Sequence, residues 1–437
     1  MAGASGTVPA VAPSDVFDEL EWRGMVAQVT HPDLGRRLGR EPLTFYVGFD
    51  ATADSLHVGS LLPLMVTARL QRAGHRPIVL LGGGTTLVGD PSGKDAERPV
   101  ISPEEVGRNA AGIRAQVERV VGADVELVDN AEWLGRLTLT DFLRDVGGHF
   151  RVNDMIAKES VRARLERDQG ISYKEFSYML LQAYDFLELC RVRGCRLQVG
   201  GSDQWGNITA GIDLIRRSGE GEAFGLTFPL VTRADGAKFG KSEGGNVWLD
   251  PARTSPYEFF QFWLRVGDAD AGRYLRLFTW LDRARIEELE AAQAEHPERR
   301  EAQRELARQV TAAVHGPAAA EAAEQAAAAL FGGELGGLDE PTLLEVFSEA
   351  PATSRSLSDL DGGGLGLAEL LVEAGLVASK SAARTAVGQG GVYVNNRREA
   401  DVERRLVPSD LLVGSYLVLR RGKRSYHLVR FVRGVET

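Results

Sequence analysis

The chain has 437 residues, 43% of them hydrophobic and 26% charged, the make-up of a water-soluble protein with more than one core. No apolar run reaches the roughly 18 residues that a bilayer demands, and the net charge of −10 argues against a protein that is basic throughout. Cys190 and Cys195 lie close together with neither a CxxC spacing nor paired histidines, so no disulfide framework, zinc site or other protein metal ligand is predicted.

Residues 1–14 lack the basic-then-apolar order of a secretory leader and are expected to be a disordered start to a cytoplasmic chain. Three short apolar runs follow, LTFYVGF at 43–49, PIVLLG at 77–82 and RLQVG at 196–200. Helix-like segments separate them, the first being LLPLMVTARLQRAG. Strands alternating with helices predict an α/β domain over 15–250, a parallel sheet with helices on both faces. Ligands bind beyond the carboxyl ends of such strands. There the sequence places DATADSLHVGS, GGTTLVGDPSGK and GSDQWGN, all polar and glycine-rich.

At Ser255 a serine cap followed by Pro256 opens a helix. The charged and alanine-rich segments beyond it predict an all-helical domain over 251–350. Residues 351–365, rich in Ser, Asp and Gly, suit a linker. The module at 366–437 reads as helical and then strand-like. From Lys380 to Thr437 it carries twelve Lys plus Arg against five Asp plus Glu, a basic tail on an acidic body that suits a nucleic-acid partner.

Two familiar nucleotide motifs fail. LVGDPSGKD has Val88 where a P-loop needs glycine and Asp95 where it needs Ser or Thr, and no GxGxxG follows the first strand. LVTRADGAKFGKSEGG instead sets Lys238 and Lys241 three apart in a glycine-flanked loop, where lysine stems can carry charge to a polyphosphate or simply stay solvated. In FSYMLLQAYDFLEL, Tyr178, Gln182 and Asp185 share one helix face, either a polar surface stripe or a pocket wall.

His57-Val-Gly and Lys-Phe-Gly-Lys-Ser together resemble the HIGH and KMSKS signatures of class I aminoacyl-tRNA synthetases. Further segments, including YVGFDATADSLHVG, GDPSGKDAER, FLRDVGGHFRVNDMIAKES, QVGGSDQWGNITAGIDLIRR and SPYEFFQFW, resemble the bacterial-type tyrosyl-tRNA synthetases in their order. The resemblance implies a Rossmann-like catalytic domain, a helical anticodon-binding domain and an S4-like RNA-binding domain. It implies ATP-driven formation of tyrosyl adenylate and transfer to tRNA(Tyr), with Mg2+ arriving on ATP and a homodimer as the working form.

The same resemblance assigns Thr52, His57, Lys94, Arg98, Lys238 and Lys241 to the reacting phosphates. Tyrosine falls to Tyr46, Asp90, Tyr178, Gln182, Asp185 and Gln204. Asp50, Gly59, Gly201 and Asp203 join His57 and Lys241 around ATP. For tRNA phosphates, Arg384, Arg397, Arg398, Arg420, Arg421, Lys423 and Arg424 are the basic candidates. Two other readings fit the same residues, a relative that activates a modified tyrosine and an RNA-binding descendant with little catalysis.

Four positions depart from the family pattern. Ala51 stands where proline is usual, Gly84 and Thr86 alter a Gly-Gly-Ala-Thr-Gly run, and Ser60 replaces the last histidine of HIGH. Ser60 is expected to be a helix cap, with Pro63 in the first turn, leaving the nucleotide contact to His57.

Overall fold

The computed structural model describes residues 15–92, 101–166, 170–237, 239–242, 245–330, 332–422 and 425–433. The expectations for residues 1–14, Lys94, Arg98, Lys238, Lys423 and Arg424 lie outside them, and of Lys241 only the backbone is described. The chain divides into two compact units, residues up to 254 with 262–314, and 255–261 with 315–437. Among the described residues no helix is long and apolar enough to cross a membrane.

The first unit is built on a six-stranded sheet: β1 (Gln28–Val29), β2 (Thr44–Phe49), β3 (Arg76–Leu81), β4 (Glu126–Asp129), β5 (Leu197–Gly201) and β6 (Phe224–Phe228). Its order is β1-β6-β5-β2-β3-β4, parallel except for β1, which runs antiparallel to β6. Both faces of the central strands are covered, which is why TFYVGF and RPIVLL read as nearly continuous apolar runs. The chain moves outward from β2 through β3 to β4, then returns to place β5 on the other side of β2. The strand order therefore reverses between β2 and β5, where a crevice opens at the carboxyl ends.

Two helices flank that crevice. Helix Leu61–Arg72 follows the His57-Val-Gly-Ser turn. Helix Tyr173–Arg193 starts where Ser172 Oγ accepts the Glu175 N–H, and ends at Gly194, whose φ of 62° suits a residue without a β-carbon. Its apolar faces bury Met179, Leu180, Ala183, Phe186 and Leu187, leaving Tyr178, Gln182 and Asp185 for the cavity.

The second unit carries a five-stranded sheet, in the order Arg397–Arg398, Val392–Val394, Tyr416–Arg421, Ser425–Val432 and Ala352–Ser356. Alternation along Tyr416–Arg421 sends Leu417 and Leu419 into a core with Leu367, Leu370 and Leu371. Tyr416 and Val418 point the other way, against Ala326, Ala329 and Phe347. The alanine-rich helix Pro317–Ala329 thus covers one face of this sheet.

Two expectations change here. The stretch 351–365, read as a linker, contributes Ala352–Ser356 as an edge strand parallel to Ser425–Val432, because its serines and threonine sit on a half-exposed edge that needs little apolar content. The helical run 251–350 is divided, with 251–254 and 262–314 in the first unit and 255–261 and 315–350 in the second.

Candidate functional site

A cavity of about 680 Å³ opens where the strand order reverses. Every described side chain that the resemblance assigns to tyrosine lines it, namely Tyr46, Asp90, Tyr178, Gln182, Asp185 and Gln204. So do Asp50, Thr52, His57, Gly59, Gly201 and Asp203. The segments that carry them come from both sides of the crevice, with Tyr46 on β2 opposite Gln198 on β5.

At the floor, Asp185 is fully buried and held by two donors, Asn130 Nδ2 at 2.9 Å and Trp133 Nε1 at 2.7 Å. Burial pushes its carboxyl up to about 7, against these two hydrogen bonds, which favour the ionised form. Beside it, Tyr46 is 1% exposed and its hydroxyl has no hydrogen-bond partner among the described residues. Burial, then the Asp185 charge, raises the Tyr46 phenol well above its ordinary range. A buried phenol and a buried carboxyl side by side suit a ligand hydroxyl that can complete both.

Higher in the cavity a chain of amides fixes the polar groups. Gln204 Nε2 donates to Asp90 Oδ2 at 2.7 Å, and Gln182 Nε2 donates to Gln204 Oε1 at 3.2 Å. Asn207 Nδ2 spans Gln182 Oε1 and Gln204 Oε1 at 3.0 and 3.1 Å. The Tyr178 hydroxyl reaches Asp50 Oδ1 at 3.4 Å. Asp90, Gln182 and Tyr178 line the same cavity with acceptor oxygens, which suits a ligand cation.

The His57 turn is organised differently from expectation. Ser60 occupies the position before helix Leu61–Arg72, but its hydroxyl makes no capping bond. His57 does the capping, its Nδ1 accepting the Gly59 N–H at 3.0 Å. The reason is local, since a short 3-10 turn over Val58–Ser60 moves the first free N–H groups back toward His57. An accepting Nδ1 puts the ring proton on Nε2, which makes His57 a neutral donor.

The departures at 51 and 86 form one interaction. Ala51 is fully buried, and its N–H, which proline would lack, donates to Thr86 Oγ1 at 2.9 Å. Thr86→Gly is therefore expected to cost about 1–3 kcal/mol by leaving a buried donor unpaired. Ala51→Pro alone would drive the ring carbon into Thr86 Oγ1, while the double substitution should recover most of that loss. A urea-denaturation double-mutant cycle measures the coupling, and simple additivity would separate the two positions.

Two residues at or behind the cavity wall escape the sequence reading. Asn130 accepts the Gly84 N–H at 2.8 Å while donating to Thr85 Oγ1 and Asp185. Gln198, 3% exposed, lines the cavity with an Oε1 that has no partner among the described residues. Both sit on or just after strands, β5 and the short β4, whose polar ends hide them.

In the second unit, Arg397 and Arg398 are exposed on their strand, Arg384 is exposed beside Glu403, and Arg421 is exposed while donating to the Leu376 carbonyl. Arg420 departs from expectation, being 7% exposed and stacked 3.6 Å over the Tyr393 ring. It shares the strand face of Tyr416 and Val418, which is covered. It is a packing residue rather than a surface contact.

Residues 38–332 match the family of tRNA synthetases class I (W and Y), and residues 343–429 match the tyrosine–tRNA ligase SYY-like C-terminal domain. The tyrosine–tRNA ligase of Roseiflexus castenholzii is 55% identical over 422 residues, covering 95% of this chain and 99% of that one. That of Bacillus caldotenax is 49% identical over 424 residues, covering 95% and 100%. Among solved structures, a C-terminally truncated mitochondrial tyrosyl-tRNA synthetase of Aspergillus nidulans superposes with a TM-score of 0.64 at 31% identity, over 71% of this chain and 92% of that one.

Proposed function

The chain belongs to the tyrosyl branch of the class I tRNA synthetases, with the activity of a tyrosine–tRNA ligase, and from that premise we propose how its cavity divides the work. Tyrosine enters phenol first. Its hydroxyl meets Tyr46 and Asp185, its ammonium meets Asp90, Tyr178 and Gln182, and its carboxylate lies toward Gln204. ATP lies above it, with Asp50, Gly59, Gly201 and Asp203 around the nucleoside and Thr52, His57, Lys94, Arg98, Lys238 and Lys241 toward the phosphates.

The tyrosine carboxylate attacks the α-phosphate, the bond to pyrophosphate breaks, and negative charge grows on the phosphoryl oxygens. Cationic and N–H donors aimed at that charge lower the barrier without a covalent enzyme intermediate. A terminal ribose hydroxyl of tRNA then attacks the tyrosyl carbonyl and AMP leaves. Magnesium, when bound with ATP, would be held by the triphosphate and would offset part of its charge. Two of the cavity carboxylates are engaged by protein donors, Asp90 by Gln204 and the Ser92 N–H, and Asp185 by Asn130 and Trp133, which suits a metal held by phosphates.

The observation that carries this reading is the pair at the cavity floor, an unpartnered buried phenol beside a buried carboxyl. It is tested by Tyr46→Phe in a pyrophosphate-exchange assay with tyrosine and phenylalanine. Tyrosine activation should weaken by about 0.5–1.5 kcal/mol, the net worth of a neutral hydrogen bond, with phenylalanine unaffected. Because the hydroxyl has no partner among the described residues, the free protein should lose no stability. Equal losses for both amino acids would put Tyr46 outside the hydroxyl site.

The remaining roles follow the same likeness. The second unit acts as an S4-like tRNA-binding module, with Arg384, Arg397, Arg398 and Arg421 on its surface, and Lys423 and Arg424 beside them in sequence. The chain works as a cytoplasmic homodimer. Leu139, Leu143, Val152, Ile156, Leu165 and Tyr173 support that last point, being large apolar side chains left exposed along one stretch of the first unit.

A further inference from the structure

The segment ADGAKFGKSEGG contains one large apolar side chain, Phe239. The Phe239 side chain is half-buried. This ring is stacked on Phe278, with centroids 5.5 Å apart and planes 10° from parallel. Tyr274, Trp263 and Phe262 complete a socket, at 5.1, 5.7 and 5.8 Å. Trp263, Tyr274 and Phe278 are themselves at most 1% exposed, so the socket is a fixed part of the core.

Helix Asp268–Phe278 holds the loop at a second place. Asp270 accepts the Ala234 N–H at 2.9 Å, and the Tyr274 hydroxyl donates to the Thr232 carbonyl at 3.2 Å. On the far side of Phe239 the backbone turns onto the His57 signature. Gly240 has a φ of +87°, and a β-carbon there would stand 3.0 Å from Val58 Cγ2 and 3.5 Å from the Gly59 nitrogen. Its carbonyl accepts the Val247 N–H at 3.1 Å, while the Val247 carbonyl accepts the Val58 N–H at 2.9 Å. The helix therefore holds the loop at 232, 234 and 239, and the signature turn meets it at 240.

We propose that Phe239 is a positioning residue of the activation reaction, a key whose seating in the Phe262–Trp263–Tyr274–Phe278 socket sets where the Lys-Phe-Gly-Lys-Ser segment stands against the His57 turn. The proposal rests on the reading that Lys238 and Lys241 act on the triphosphate. An aromatic key fits this task because stacked and edge-on rings fix orientation as well as depth. Packing at 239 and close backbone contact at 240 fix these two residues against the helix and the His57 turn.

The test uses the full chain with F239A, F239L and K241A. Single-turnover adenylate formation should slow about tenfold or more in F239A, with a raised KM for ATP and an unchanged KM for tyrosine. F239L, which keeps an apolar body in the socket, should return to within about threefold of the parent. Trypsin cleavage within 238–241, read by mass, should accelerate in F239A alone. A slowed K241A beside an F239A rate within about twofold of the parent overturns the key and leaves the lysines in place. Equal losses of tyrosine and ATP binding in F239A also overturn it, since general disruption would suffice. A parent-like rate in K241A removes the loop from the mechanism and the key with it.

Discussion

Replacing His57 by alanine is expected to slow tyrosyl-adenylate formation by about 10²–10³-fold, the usual loss when one preorganised transition-state donor is removed. The same change should cost about 1 kcal/mol of stability, since the Nδ1 bond to the Gly59 N–H is a helix-start cap. The two effects are separable. His57→Asn keeps a side-chain oxygen near the place of Nδ1 and should restore the cap, yet it is too short to replace Nε2–H at the phosphates. Stopped-flow adenylate formation and urea denaturation measured on both variants give the answer. If asparagine rescues the rate together with the stability, His57 acts through the shape of its turn and not on the nucleotide.

A chain ending at Val314 is expected to make tyrosyl adenylate within about twofold of the full rate while losing at least about a hundredfold in tRNA charging at moderate salt, because the lost phosphate contacts carry counterion release with them. The place of the cut matters. Ending near Gly362 would leave Ala352–Ser356 without the Ser425–Val432 strand it pairs with, and would uncover Ala326, Leu343 and Phe347. Such a protein would fail for want of a core, whatever its arginines do. The boundary at 314 follows the division between the compact units. Aminoacylation of tRNA at the full rate by the shorter chain would make the second unit dispensable.

The three strands flanking the cavity are legible in the sequence because both faces of a parallel sheet are buried, so most of their residues are apolar. Ligand-binding segments are legible because they follow those strands as polar, glycine-rich runs. Asn130 and Trp133 are not, since they follow ELVD, a strand of four residues with acidic ends that carries no run to notice. Arg420 misleads because counting charge ignores the two-residue period that turns it inward while Arg421 faces water. The serine at 60 misleads for a different reason. A cap is defined by where backbone N–H groups fall, and one short 3-10 turn moves them.

The contact between Ala51 and Thr86 also constrains ancestry. If the usual proline at 51 and glycine at 86 came first, two single steps lead to the present pair. Thr86 beside that proline would put a hydroxyl oxygen where the ring carbon stands, since only 2.9 Å separates Oγ1 from the nitrogen that would bear it. Ala51 beside that glycine merely strands a donor, a defect a stable lineage survives. Proline therefore left before threonine arrived, and once both had changed neither could revert alone. The pair works as a ratchet, and a branch of relatives carrying alanine at the first position with glycine still at the second is the intermediate that this history requires.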